Sequence, residues 1–322
     1  MAESVDALKE RLAYLEQTIE SLKKWERRSW FKRTFNRWIP PRKPVSTHYA
    51  PIRQIETKVE DKDKAVPFAY ATPRMVTDLT QCCFYHTVDL PTVGTVKGHW
   101  DLRGRIGEYL GRIDVAGRRV LDLGTASGFL TFEMEKQGAH VVSFDADSSE
   151  RFAFLPMHSH DSVTKREEWY ALHEGVLNTT KNSYWLSHRL HNSSAQAYYG
   201  NVYNLPGELG MFDVVVVAQI LIHLRDPIMA LTQAANRSAR HLVIAEGMID
   251  SPEADMRLCG SMKNGIPYAW FKLSTTLYRE VLEMLGFRII RQTTASYSCS
   301  DSQHDNQIPI TTIIAERVQT TA

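Results

Sequence analysis

The chain has 322 residues, 43% apolar and 23% charged, enough for one large domain with a sizeable core plus appendages. No apolar run reaches about eighteen residues and the polar N-terminus has no signal-peptide core, so neither a transmembrane helix nor a secretory leader is expected. The formal net charge of +1 hides an asymmetry: residues 23–43 hold nine Lys/Arg and one Glu, and the remainder holds 29 basic and 36 acidic residues. A mildly acidic body argues against a broad nucleic-acid groove, which needs clustered cations.

Val5, Leu8, Leu12, Leu15, Ile19 and Leu22 recur at alternating three- and four-residue spacing. That is an a/d heptad seam, and a helix so short gains its stability by pairing. Self-association through residues 5–22 is expected, with docking on the chain's own domain as the alternative. The helix continues from Lys24 through Trp25, Arg27, Arg28, Trp30, Phe31, Lys32, Arg33, Phe35, Arg37 and Trp38 until Pro40 and Pro41 stop it. Aromatics interleaved with cations suit a membrane interface, an RNA contact or packing on the body, and residues 23–43 leave all three open.

Residues 1–39 thus form a coiled-coil and basic aromatic helix, and residues 40–66, rich in Pro, Lys and Asp, form a linker. Residues 67–103 read as a flap with short β-like pieces at Val88–Leu90 and Thr92–Val96. It ends on His99, Trp100, Asp101, Leu102 and Arg103, of which Trp100 and Arg103 are acceptor-side candidates. A helix over Ile106–Ile113 then opens the main domain, residues 104–322.

Val120 to Leu123 is an apolar run suited to a parallel strand covered on both faces. Gly124 and Gly128 free the backbone for a sharp turn, and the helix Phe129–Gln137 presents its positive N-terminus there. The strand His140–Asp147 follows, with Asp145 at its carboxyl end, where an acid accepts from the two hydroxyls of a ribose. The turn spacing is G-x-x-x-G, with Thr125 where a dinucleotide fingerprint needs its second glycine, and no P-loop motif occurs.

Residues 151–194 form an enlarged, His/Trp/Tyr-rich insertion with a helix at Ser183–His191, read as a lid or acceptor wall. Tyr184, Trp185, His188 and Arg189 are the acceptor-side candidates on it. His158, His160, His188 and His191 lack the carboxylates or thiols that would fix a metal geometry, and Cys82, Cys83, Cys259 and Cys299 show no C-x-x-C spacing, so no metal is expected. A reduced cytoplasmic protein follows, peripheral to a membrane if the basic helix binds one. Strands at Ala195–Tyr199, Phe212–Ala218 and His241–Ala245, with a helix at Pro227–Asn236 between the last two, continue a doubly wound α/β alternation. Ser274 caps a helix over Thr275–Leu285 closed by Gly286, and strands Phe287–Thr293 and Ile310–Arg317 form a hairpin with a long loop.

The run Asp122-Leu123-Gly124-Thr125-Ala126-Ser127-Gly128, followed by Phe144-Asp145-Ala146-Asp147, resembles the first two motifs of class I S-adenosylmethionine-dependent methyltransferases. The resemblance implies a mostly parallel, seven-stranded Rossmann-like sheet and S-adenosylmethionine as cofactor. Asp122, Gly124, Thr125, Ser127 and Gly128 would lie at its methionine part, and Asp145 and Ala146 at the ribose. Asn201 and Val202 would meet the adenine, with Asn in place of the usual Asp, and Gln219 would follow at the fourth strand's exit. The exit Gln219-Ile220-Leu221-Ile222-His223-Leu224-Arg225-Asp226-Pro227 is similar to that of enzymes modifying wobble uridine in tRNA. Members using a carboxymethylated cofactor carry a tyrosine where this chain has Ile222, so ordinary S-adenosylmethionine is inferred. His223 is the candidate general base, or else a loop-packing histidine. The leading reading is O-methylation of a small-molecule or glycan-type acceptor; the alternatives are RNA modification and a non-catalytic cofactor-binding scaffold.

Overall fold

The computed structural model describes residues 67–152, 162–259, 269–300 and 305–318. The heptad seam, the basic aromatic helix and the linker lie outside the described residues, as do His158 and His160. Apart from Pro67 and Phe68, all described residues belong to one unit, Ala69–Met262 with Ile266–Ala322.

The chain enters through a small antiparallel hairpin, β1 (Val88–Leu90) and β2 (Gly94–Val96), then β3 (Trp100–Asp101) and α1 (Ile106–Tyr109). The alternating body follows: β4 (Arg119–Leu123), α2 (Phe129–Lys136), β5 (His140–Ala146), α3 (Ser162–Leu190), β6 (Gln196–Gly200), β7 (Phe212–Ala218), α4 (Pro227–Arg237) and β8 (Ser238–Glu246). A second hairpin, β9 (Met256–Leu258) and β10 (Phe271–Leu273), precedes α5 (Thr275–Met284), β11 (Phe287–Ser300) and β12 (Asp305–Arg317).

The main sheet runs β3-β11-β12-β8-β7-β4-β5-β6. From β8 to β6 every pairing is parallel, and β12 inserts antiparallel between β8 and β11. This is the expected doubly wound Rossmann-like methyltransferase sheet of seven strands, with the two-residue β3 added at the edge of β11. The β-branched run Val214–Val217 in β7 is fully buried, because helices cover both faces of a central parallel strand. Strand order reverses between β4 and β7, and in open α/β sheets ligands bind at the carboxyl ends of the strands at such a switch point.

Four elements differ from the sequence reading. The helix expected only at Ser183–His191 is the last third of the 29-residue α3. Its earlier turns are strongly polar, with Lys165, Arg166, Glu167 and Glu168 in succession and Leu172 and Val176 facing solvent, so no apolar stripe announces them. The helix at residue 106 ends at Tyr109, short of Ile113, because Gly111 and Arg112 take left-handed φ of 63° and 58°. The expected long loop between the last strands is paired: β11 and β12 run on as one ribbon from Phe287 opposite Arg317 to Ser300 opposite Asp305. The β9–β10 hairpin carried no sequence signal. Helix α5 begins as expected, with Ser274 Oγ accepting from the Leu277 amide at 3.1 Å. Among the described residues no helix is long and apolar enough to cross a membrane.

Candidate cofactor and acceptor site

The glycine turn hangs from the neighbouring strand. The amides of Gly124 and Thr125 both donate to the Phe144 carbonyl, at 2.8 and 3.0 Å. Gly124, Ala126 and Gly128 all have left-handed φ, of 82°, 48° and 87°. At Gly128 a Cβ would sit 2.4 Å from the Phe132 ring and 2.8 Å from the Tyr184 ring, so only glycine fits. Helix α2 starts immediately after it, so the partial positive charge of its N-terminus lies at the turn.

Asp145 stands at the end of β5. Its carboxylate accepts from the Ala126 amide at 2.8 Å and from its neighbour Ala146 at 2.7 Å, tying the strand end to the turn. Burial pushes its pKa up, while the Ala146 and Ala126 amides and the Lys181 ammonium favour the ionised form. Lys181, on α3, donates to the Asp147 carbonyl at 3.0 Å and holds the same loop from above. At the next strand end Asn201 Oδ1 accepts from the Tyr203 amide at 3.0 Å, and Val202 is buried beside it.

Three residues expected to touch cofactor turn their side chains inward. Asp122 is 0% exposed and accepts from Thr131 Oγ1 at 2.7 Å; Thr131 in turn meets Thr125 Oγ1 at 2.9 Å and Ser143 Oγ at 2.7 Å. Burial lifts the Asp122 pKa to about 6. Ser127 Oγ accepts from the amides of Tyr85 and His86 at 3.3 and 3.4 Å. The side chains of Asp122, Thr125 and Ser127 therefore brace the turn against α2, β5 and the flap.

The β7 exit sits directly on this turn. Gln219 has φ 53° and donates its amide to Ala245 O at 2.9 Å, which swings the chain over Gly124. Ile220 then lies 3.1 Å from where a Gly124 Cβ would stand. Leu221–His223 form a single 3-10 turn, and His223 is half-buried on it. The Leu221 amide donates to Glu246 Oε1 at 2.8 Å, and the Ile222 carbonyl accepts from the Trp270 amide at 2.6 Å. Glu246 is buried at the end of β8. Burial raises its pKa to about 8, with the amides of Leu221, Ile220 and Ile222 and the Lys272 charge acting the other way.

The acceptor-side candidates are not gathered at this exit. Arg103 is committed to carboxylates, with Nη1 2.7 Å from Asp89 and Nη2 2.8 Å from Asp101, and so it staples the flap hairpin. Trp100 pairs with Cys299 at the sheet edge, its carbonyl accepting from Thr87 at 2.7 Å. Tyr184 and Trp185 are core residues, 1% and 2% exposed, and Tyr184 reaches Ser143 Oγ at 3.0 Å. His188 Nε2 meets the Ala195 carbonyl at 2.9 Å, and Arg189 donates to the Val76 carbonyl at 3.1 Å. An aromatic cluster at helical spacing here marks the face of α3 that packs on the sheet.

Sequence reasoning missed His86 and Trp270. His86 stacks on Phe129 at 5.4 Å, and burial drives its pKa down to about 3, so it is neutral. The one available signal was Gly98, whose Cβ would lie 2.3 Å from the His86 carbonyl carbon where two flap segments cross. Trp270 anchors the β9–β10 hairpin to the exit turn through a backbone bond, which leaves no trace in residue type.

Several solved methyltransferases are similar to this chain at low identity. Magnesium protoporphyrin IX methyltransferase (ChlM) from Synechocystis PCC 6803, with bound S-adenosylmethionine, is 16% identical, covers 66% of this chain and 76% of its own, and has a TM-score of 0.38. The 1,6-didemethyltoxoflavin N1-methyltransferase of Burkholderia thailandensis, with bound S-adenosylhomocysteine, gives 15%, 66%, 75% and 0.38. A candidate RNA methyltransferase, PH1948 from Pyrococcus horikoshii, gives 12%, 66%, 84% and 0.41. Among curated proteins none matches. Residues 101–289, more than half of the chain, match the family described as "Methyltransferase domain", and the chain belongs to it as a class I S-adenosylmethionine-dependent methyltransferase.

Proposed function

We propose that this enzyme methylates an oxygen of a small-molecule or glycan-type acceptor at the crevice between the glycine turn and the β7 exit, with His223 as the general base. The observation that carries the reading is the seating of Ile220 on Gly124, which puts the turn bearing His223 against the cofactor turn. The donor set suits the cofactor. The Asp145 carboxylate accepts hydroxyl protons, the Asn201 carbonyl accepts from an exocyclic amine, and the left-handed turn brings bare backbone close. S-adenosylmethionine supplies a methyl group on an already activated sulfonium. The protein's remaining tasks are to align the acceptor oxygen in line at about 3 Å, exclude water and take the hydroxyl proton. With the cofactor bound, His223 would take that proton as the acceptor oxygen is methylated. On sequence alone, residues 5–22 are read as the means of self-association, and residues 23–43 as a membrane-surface or RNA contact or as packing on the body.

Tritiated S-adenosylmethionine incubated with a panel of glycosides and small phenols, and separately with bulk tRNA, tests this. Label is expected in an ether of the first group, and His223→Ala should lower its rate by about 10²–10⁴ while leaving S-adenosylhomocysteine affinity unchanged. An undiminished rate would remove His223 from proton transfer. Incorporation into tRNA alone would overturn the acceptor class.

A further inference from the structure

The exit turn packs against a buried acid that proton transfer itself does not use. Glu246 ends β8, opposite Thr311 of β12 and beside β7. Its side chain bonds the exit turn, and the buried Tyr109 of α1 and Tyr278 of α5 lie close enough to feel its charge. Lys272 of β10 is the cation facing it, with Nζ 3.8 Å from where a Gly247 Cβ would stand. Both tyrosines are pushed far above their ordinary range by burial and stay neutral. Glu246, raised to about 8, thus changes charge near neutral pH, and His223 on the exit turn is the other titratable group facing this site.

Three consecutive amides of the exit, on Ile220, Leu221 and Ile222, favour its ionised form, and the Leu221 bond is 2.8 Å long. These are the residues that cover Gly124 on one side and lead into His223 on the other. The Gln219–Ala245 backbone bond ties only the start of the turn to β8. A carboxyl gathering several amides of one short turn fixes its conformation as an anion-binding nest does. Main-chain bonds alone leave such a turn at the low-stability end of a fold.

We propose that Glu246 is a positioning residue: by holding the exit-turn amides it sets the contact of Ile220 with Gly124 and the placement of His223, coupling the acceptor side to the cofactor turn. Glu246 itself touches neither cofactor nor acceptor. The inference deepens the proposed function and rests on the same crevice. Because ionisation strengthens acceptance from an amide, the coupling tightens as Glu246 loses its proton.

The test uses the full chain, S-adenosylhomocysteine calorimetry and amide exchange at Leu221. In Glu246→Ala the Leu221 amide should exchange at least about thirtyfold faster and the dissociation constant rise about tenfold, the size expected from orphaning a buried amide. Glu246→Gln keeps an acceptor oxygen and the volume, so affinity at pH 6.5 should stay within about threefold. The pH profile separates positioning from plain packing. Wild-type affinity and Leu221 protection should both increase as pH rises through about 8, and Glu246→Gln should lose that increase.

Folding stability should show the opposite slope. The folded pKa of about 8 exceeds the ordinary 4.5, so this group's stabilisation is complete below 4.5 and is lost as pH rises through about 8, and Glu246→Gln should flatten the decline. Wild-type and Glu246→Gln proteins with the same pH profiles of affinity and protection would overturn the proposal, as would unaltered Leu221 exchange in a folded Glu246→Ala. Failure of the wild type to bind S-adenosylhomocysteine would instead overturn the cofactor placement beneath it.

Discussion

Gly128→Ala is expected to destabilise the domain by about 2–5 kcal/mol, lowering Tm by roughly 5–15 °C. Two costs combine. A φ of 87° is strained for any residue with a Cβ, and the new methyl would lie 2.4 Å from Phe132 and 2.8 Å from Tyr184. Both rings are core residues that bind α2 and α3 to the sheet, so neither yields without displacing a helix. Gly117→Ala is the matched control. Its φ of 66° carries similar strain, but nothing lies within 4 Å of the added carbon, so only about 1–2 kcal/mol should be lost. Equal losses in thermal or urea unfolding would show that packing at Gly128 adds nothing to the strain.

Asp145→Ala is expected to weaken S-adenosylhomocysteine binding by roughly 30- to 150-fold, or about 2–3 kcal/mol. The variant would lose the proposed acceptor for two ribose hydroxyls. It also frees the Ala126 amide, now held at 2.8 Å, so the turn itself loosens. Asp145→Asn should be little better, because its NH2 group brings donors to a place where Ala126 and Ala146 already donate. Calorimetry at constant pH and salt measures both variants. An affinity equal to wild type in either would mean that the ribose lies elsewhere.

How much of this was readable beforehand depended on whether a residue's role was local. The turn from Gly124 to Gly128, Asp145 at the end of its strand, and the caps at Ser274 and Gly286 follow from short-range rules of backbone conformation and capping. The structure obeys them. The β-branched run of β7 announced a central strand for the same reason. The inward turn of Asp122, Thr125 and Ser127 was not legible, because their partners Thr131, Ser143, Tyr85 and His86 lie on other elements.

The acceptor side shows the same limit more sharply. Tyr184, Trp185, His188 and Arg189 have the composition of a ligand wall, yet aromatic and polar tips on one helical face serve equally well to pack a long helix on a sheet. Burial in three dimensions decides between the two. Arg103 has the chemistry of an anion binder, but Asp89 and Asp101 meet it first. Conversely, Glu246 looks in sequence like an ordinary strand-end acid. Its grip on the exit turn depends on the β7–β8 pairing and on the approach of α1 and α5, which no local pattern encodes.

The central claim is that the glycine turn and Asp145 hold the cofactor with its reactive end toward the turn bearing His223. A crystal structure with S-adenosylhomocysteine tests it most directly. The account predicts ribose hydroxyls within about 3 Å of the Asp145 carboxylate, the adenine beside Asn201 and Val202, and the sulfur over the Gly124–Gly128 turn facing residues 219–223. A ribose away from Asp145, or a sulfur turned from the β7 exit, would contradict it.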